Sequence, residues 1–185
     1  MCRYGLSLFL ETDNVLLVLR HLSDDRTIMP LKNRQFWIAA LVSFVLDQLT
    51  KYWVVQNFSL GETRPIWSGV FHFTYVTNTG AAFSLFTGKV EWLRWLSLAV
   101  SLLLMAWAWF GPVMKSLEQL GYGFILGGAL GNGIDRFIAG SVVDFLDFRL
   151  INFPVFNLAD VCINLGIICF LIASIPNAAN NGRSR

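Results

Sequence analysis

From Trp95 to Met114 the chain carries no charged side chain, and a helix needs about 20 such residues to cross a bilayer. Three more segments have the same character. Phe36–Val55 is apolar apart from Asp47, Gln48 and Lys51. Gln119–Ile134 is apolar and glycine-rich and closes on Asp135 and Arg136. Asp160–Ile175 opens on its aspartate. Hydrophobic residues make up 55% of the chain and charged residues 14%, against about a quarter charged in a soluble domain. The excess apolar surface has to be solvated by lipid. The expected fold is an α-helical membrane protein with four transmembrane helices.

Lysine and arginine asymmetry gives the orientation, because basic residues are retained on the cytoplasmic side. With both termini inside, the inner segments hold Arg3, Arg20, Arg26, Lys32, Arg34, Lys115, Arg183 and Arg185. The outer ones hold Arg64, Lys89, Arg94, Arg136 and Arg149. Lys32 and Arg34 stand directly before the first helix, which usually dominates. In this arrangement the third helix ends, and the fourth begins, on the outer side. The loop between them, about Phe137–Leu158, carries Asp144 and Asp147. Asp135, Asp144, Asp147 and Asp160 are therefore expected at one membrane face.

Residues 61–88 read differently. Phe71–Val76 has the β-branched and aromatic residues of a strand, Asn78-Thr79-Gly80 signals a turn, and Ala81-Ala82 permit close approach of another chain. A small extracytoplasmic β-sheet is expected here. Met1–Ile28 mixes acidic and basic residues with an apolar run, Val15–Leu19, too short to span a bilayer. It reads as an extension that is disordered or lies upstream of the true start at Met29. Residues 29–176 form the membrane domain, and 177–185 form a cytoplasmic tail.

Several functions are disfavoured. A formal net charge of +2 with no basic stripe does not suit nucleic acid. Cys2, Cys162 and Cys169 have no metal-ligand spacing, and thiols in an apolar run behave as small hydrophobes. His72 is a lone histidine in a strand, which points to a structural role and to no metal site. Ser84 and Ser141 lack the His/Asp arrangement of serine hydrolysis.

The acids remain. A carboxylate within a membrane segment is costly and marks a functional site by default. Asn132 precedes Asp135 by three residues, as Asn157 precedes Asp160, so each amide shares a helix face with its carboxylate. Asp47 and Lys51, four apart, are expected to form an internal ion pair. Asp135 and Arg136 are expected to pair or to reach for the interface. Asn157 is a candidate N-cap with Asp160 in the first turn. Asp147 has no evident partner. Two carboxylates sharing one proton can activate water: the ionised member takes a proton and the protonated member polarises a carbonyl. That chemistry requires no metal or cofactor.

The strings DQLTK (Asp47–Lys51), NTGAAFS (Asn78–Ser84), GGALGNGIDR (Gly127–Arg136), VVDF (Val142–Phe145) and FNLADV (Phe156–Val161) resemble the ordered motifs of bacterial lipoprotein signal peptidase, signal peptidase II. The resemblance implies a four-helix inner-membrane aspartic endopeptidase with an extracytoplasmic β-cradle and both termini inside. Its substrates would be diacylglyceryl-prolipoproteins, cleaved before the lipidated cysteine, with the bilayer as its other partner and a monomer as the working unit. The family's dyad falls on Asp144 and Asp160. Its supporting residues fall on Asp47, Lys51, Asn78, Asn132, Asp135, Arg136 and Asn157. The alternative is a small proton- or cation-coupled transporter, which four short spans with no inverted repeat do not favour.

Overall fold

The computed structural model describes residues 32–80 and 88–175. The extension Met1–Ile28, the tail 177–185 and Ala81–Ser84 of the NTGAAFS string lie outside the described residues. Among the described residues four helices occur in chain order: α1 (Arg34–Asn57), α2 (Val90–Phe110), α3 (Ser116–Ile138) and α4 (Leu158–Ser174). Strands β1 (Thr63–Trp67) and β2 (Phe71–Asn78) separate α1 from α2, and β3 (Val142–Phe148) separates α3 from α4.

The four helices match the four apolar stretches in place, with shifted ends. The second runs earlier than expected because Gly111 and Pro112 stop it, proline having no N–H to continue a helix. α1 and α2 are long and apolar enough to cross a membrane, and α4 is a shorter apolar helix. α3 spends much of its length on glycine and ends in charge, which dilutes its hydropathy. The helices also carry apolar side chains outward. Leu41, Leu103, Phe110 and Leu171 are exposed, while Ser43, Asp47, Lys51 and Ser101 are buried. Polar residues inside and apolar residues outside suit a lipid solvent and not water.

α3 is central, packed by α1, α2 and α4, and its glycines explain how. Gly123, Gly127 and Gly131 form one ridge against α1, where a Cβ on Gly127 would lie 2.6 Å from the Ala40 carbonyl oxygen. On the other side, a Cβ on Gly128 would lie 2.5 Å from the Ala159 carbonyl oxygen of α4. Small residues let helix backbones approach closely, and this drives association where lipid removes the hydrophobic incentive. At the far end of the bundle Asn33 locks α1 to the α2–α3 turn. Its Nδ2 donates to the Ala108 carbonyl (2.9 Å), and its Oδ1 accepts from the Met114 N–H (2.9 Å).

The sheet is antiparallel in the order β1-β2-β3. Pro65 is tolerated because β1 is an edge strand, with a bulge beside it. Phe145 packs with Val54 and Phe58 beneath the sheet, seating it on the end of α1. Two expectations need correction here. The sheet is not confined to residues 61–88, and Asp144 and Asp147 sit not in a loop but in β3, paired to β2 opposite Val76 and His72. The VVDFLDF string reads as apolar with isolated acids, and only its long-range partner β2 makes it a strand.

Candidate active site

Asp47 and Lys51 lie one helical turn apart on the inner face of α1, 0% and 3% exposed. Lys51 Nζ is 2.8 Å from Asp47 Oδ2, so the expected internal ion pair forms. Lys51 also reaches Asp135 Oδ2 of α3 at 2.7 Å and donates to Asn132 Oδ1 at 2.9 Å. One ammonium thus serves one buried and one half-buried carboxylate, and removing it would leave both without a counter-charge. The remaining oxygen of Asp47 accepts from the Ala159 N–H (2.9 Å), where the positive end of the α4 dipole favours an anion.

Asp135 and Arg136 do not pair with each other. Neighbouring residues on a helix point to different faces, so Asp135 turns to Lys51. Arg136 instead donates to the Asn132 carbonyl (Nη1, 3.1 Å) and the Gly80 carbonyl (Nη2, 2.9 Å). Gly80 ties this cation to β2, because its N–H donates to Asn78 Oδ1 (2.8 Å). Asn78 Nδ2 in turn donates to Asp144 Oδ2 (2.9 Å).

Asn157 joins the two halves. It caps α4 as expected: its Oδ1 accepts from the Asp160 N–H (3.0 Å), and its own N–H donates to Asp160 Oδ2 (3.2 Å). Its Nδ2 donates outward to Asp144 Oδ1 (2.6 Å) and to Asn132 Oδ1 (3.0 Å). Asn132 Nδ2 completes the circuit by donating to Asp160 Oδ1 (2.9 Å). All nine residues singled out from sequence therefore meet in one connected polar cluster.

Asp144 is 2% exposed. Burial pushes its carboxyl up to about 6 and the Asp160 charge adds to this, against the Asn78 and Asn157 amides and the Lys51 charge. Such a group exchanges a proton near neutral pH, which suits general acid or base work.

Asp147 is not a lone solvated acid. It is 8% exposed, accepts from the Thr74 hydroxyl (2.6 Å) and pairs with Arg149 Nε (2.9 Å). His72 is buried and accepts from the Gly69 N–H through Nε2 (3.3 Å), in line with a structural role. Sequence reasoning assigned no part to Gln48, whose Nε2 donates to Asp135 Oδ1 (3.0 Å) and Asp47 Oδ2 (3.2 Å). A polar amide inside an apolar span was the available signal.

A profile of the signal peptidase II (SPase II) family matches residues 39–176. The chain belongs to the signal peptidase II family, and so is a peptidase. It is 70% identical over 153 residues to the lipoprotein signal peptidase of Trichormus variabilis, covering 83% of this chain and 97% of that one. Against the lipoprotein signal peptidase of Nostoc punctiforme it is 72% identical over 146 residues, covering 79% of this chain and 92% of the relative. A bacterial membrane enzyme solved at 2.3 Å resolution superposes with a TM-score of 0.72 at 27% identity, over 80% of this chain and 92% of that chain.

Proposed function

We propose that this signal peptidase II family member is an aspartic endopeptidase with Asp144 and Asp160 as its dyad. It removes signal peptides from diacylglyceryl-prolipoproteins by cleaving before the lipidated cysteine. The observation that carries the reading is the bridge made by Asn157, whose side chain holds Asp144 while its backbone N–H holds Asp160. One residue thereby gathers a strand carboxylate and a helix carboxylate into one site.

Mechanistically, Asp160 acts as the general base. It lies in the first turn of α4, where the Asn157 N–H and the Asn132 amide donate to its carboxylate at the positive end of the helix dipole. It takes a proton from water, and the resulting oxygen attacks the scissile carbonyl. Asp144, which burial favours in the neutral form, donates to the carbonyl oxygen as charge develops there. The proton held by Asp160 then passes to the leaving amine as the tetrahedral intermediate collapses, and Asp144 takes its proton back from the hydroxyl that re-forms the carbonyl. Asp47, Lys51, Asn78, Asn132, Asp135, Arg136 and Asn157 hold the pair in register and need not touch substrate.

All four helices span the bacterial cytoplasmic membrane in this reading, with both termini inside. The cluster then sits at the outer face, where α1 and α3 end and α4 begins. The substrate arrives there with its lipid in the bilayer. The working unit in this reading is a monomer. A peptidase family leaves little room for the transporter alternative.

Purified protein in detergent, given a diacylglyceryl-prolipoprotein, should release a signal peptide whose mass places the cut before the modified cysteine. Asp144→Asn and Asp160→Asn should each stay folded and release none, since an amide neither accepts nor supplies the proton. Turnover at the wild-type rate in either variant would remove that residue from the dyad.

A further inference from the structure

Three asparagines surround the carboxylates, and each has its oxygen taken by a group that can only donate. The Gly80 N–H holds Asn78 Oδ1, and the Asp160 N–H holds Asn157 Oδ1. Asn132 Oδ1 receives both Lys51 Nζ and Asn157 Nδ2. An ammonium has three donors and no acceptor. If the Asn132 amide turned over, its NH2 would face two donors and its oxygen would face the Asp160 carboxylate. The ammonium therefore dictates which end of the amide Asp160 meets.

From this we infer that Lys51 is a positioning residue for the dyad, acting through Asn132 to keep an N–H donor on Asp160. The inference rests on the dyad proposed above and gives Lys51 a task beyond neutralising Asp47 and Asp135. The charged groups around this point are Asp47 and Lys51 from α1, Asp135 and Arg136 from α3, Asp144 from β3 and Asp160 from α4. Asp160 draws its side-chain donor from Asn132. Turning that donor away removes a contact that favours the ionised base.

The test uses Asp47→Asn/Lys51→Met, which removes one buried charge of each sign and so keeps the net charge of the cluster. The folded variant should lose about tenfold in kcat with KM unchanged, the pattern of an interaction acting in the chemical step. Its pH–rate profile should move to higher pH. Asn132→Ala alone should cost a similar factor, and adding it to the double variant should cost less than about twofold more, because the two act through one contact. Unchanged kcat and pH profile, or losses that multiply, would overturn the inference. Neutron diffraction from deuterated wild-type protein is a second measurement that needs no variant. Deuterium on the Asn132 atom facing Asp160 is expected, and an oxygen there would sink the idea. Failure of the dyad itself looks different: Asp160→Asn would then keep its turnover whichever way Asn132 points.

Discussion

Asp144 and Asp147 stand three residues apart in the same strand, both buried, yet they are opposite in character. Asp147 has its own cation. Partial burial raises its carboxyl, but the Thr74 hydroxyl and the Arg149 guanidinium outweigh that and hold it below the usual carboxylate value. Among the described residues, the groups hydrogen-bonded to Asp144 are the neutral amides of Asn78 and Asn157, and a second carboxylate is near enough to repel it. Lys51, whose charge also acts on Asp144, is already committed to Asp47 and Asp135. Burial raises both carboxyls, and the two differ in how much of that rise their neighbours offset. A carboxylate with a dedicated counter-charge is settled in one state, and one whose neighbours are dipoles and another acid remains able to exchange its proton.

The sharpest way to break this contrast is to neutralise each acid in turn. Asp144→Asn should lower kcat by about a thousandfold or more, a loss expected when a proton-transfer group is removed, whereas Asp147→Asn should leave kcat within about threefold. Comparable losses in a cleavage assay on folded protein would erase the distinction. Asn157→Ala comes next. It removes the bridge between the acids and should lower kcat about a hundredfold, with a smaller loss of stability, about 1 kcal/mol, from the missing N-cap. A variant that loses stability but keeps its turnover would reduce Asn157 to a cap.

The pH dependence sharpens the comparison further. In the free enzyme the proton of the pair is lost as pH rises through a value near 6, so kcat/KM should fall above it. The apparent value belongs to both acids together. Asp147→Asn should leave that limb in place, and a shifted limb would mean that the two ends of β3 are coupled. The smallest effect is on stability. Because Asp147 is held below its unfolded value, the native state gains from its ionisation above about pH 4, and that gain is lost as pH falls through the depressed folded value. Thermal unfolding of Asp147→Asn should therefore show a deficit of about 1 kcal/mol or less at pH 7, since Arg149 is partly exposed, and none near pH 2. A deficit that persists in acid would point to packing and not to the ion pair.

Much of this protein was legible along the chain because its strongest signals are local. Apolar runs of about bilayer length locate the four helices. The four-residue spacing of Asp47 and Lys51 predicts their pair, and Asn157 three residues before Asp160 predicts a capped helix start. Each follows from the geometry of a single helix, and the tertiary structure left each in place. The order of motifs carried the family resemblance without any coordinates.

What the tertiary structure alone decided was partnership between elements. Asp135 reads as pairing with Arg136 next to it or reaching for the interface, yet it meets Lys51 on another helix. Asp147 reads as unpartnered, yet Thr74 of β2 holds it from far along the chain. VVDFLDF reads as loop, and becomes a strand because β2 supplies its missing hydrogen bonds. Gln48 shows no partner until the α3 glycines let α1 close upon Gly131 and Asp135. Local spacing specifies what one helix or turn does to itself. Which buried charge compensates which depends on how closely the helices pack, and that distance is set only when the whole bundle and its sheet assemble.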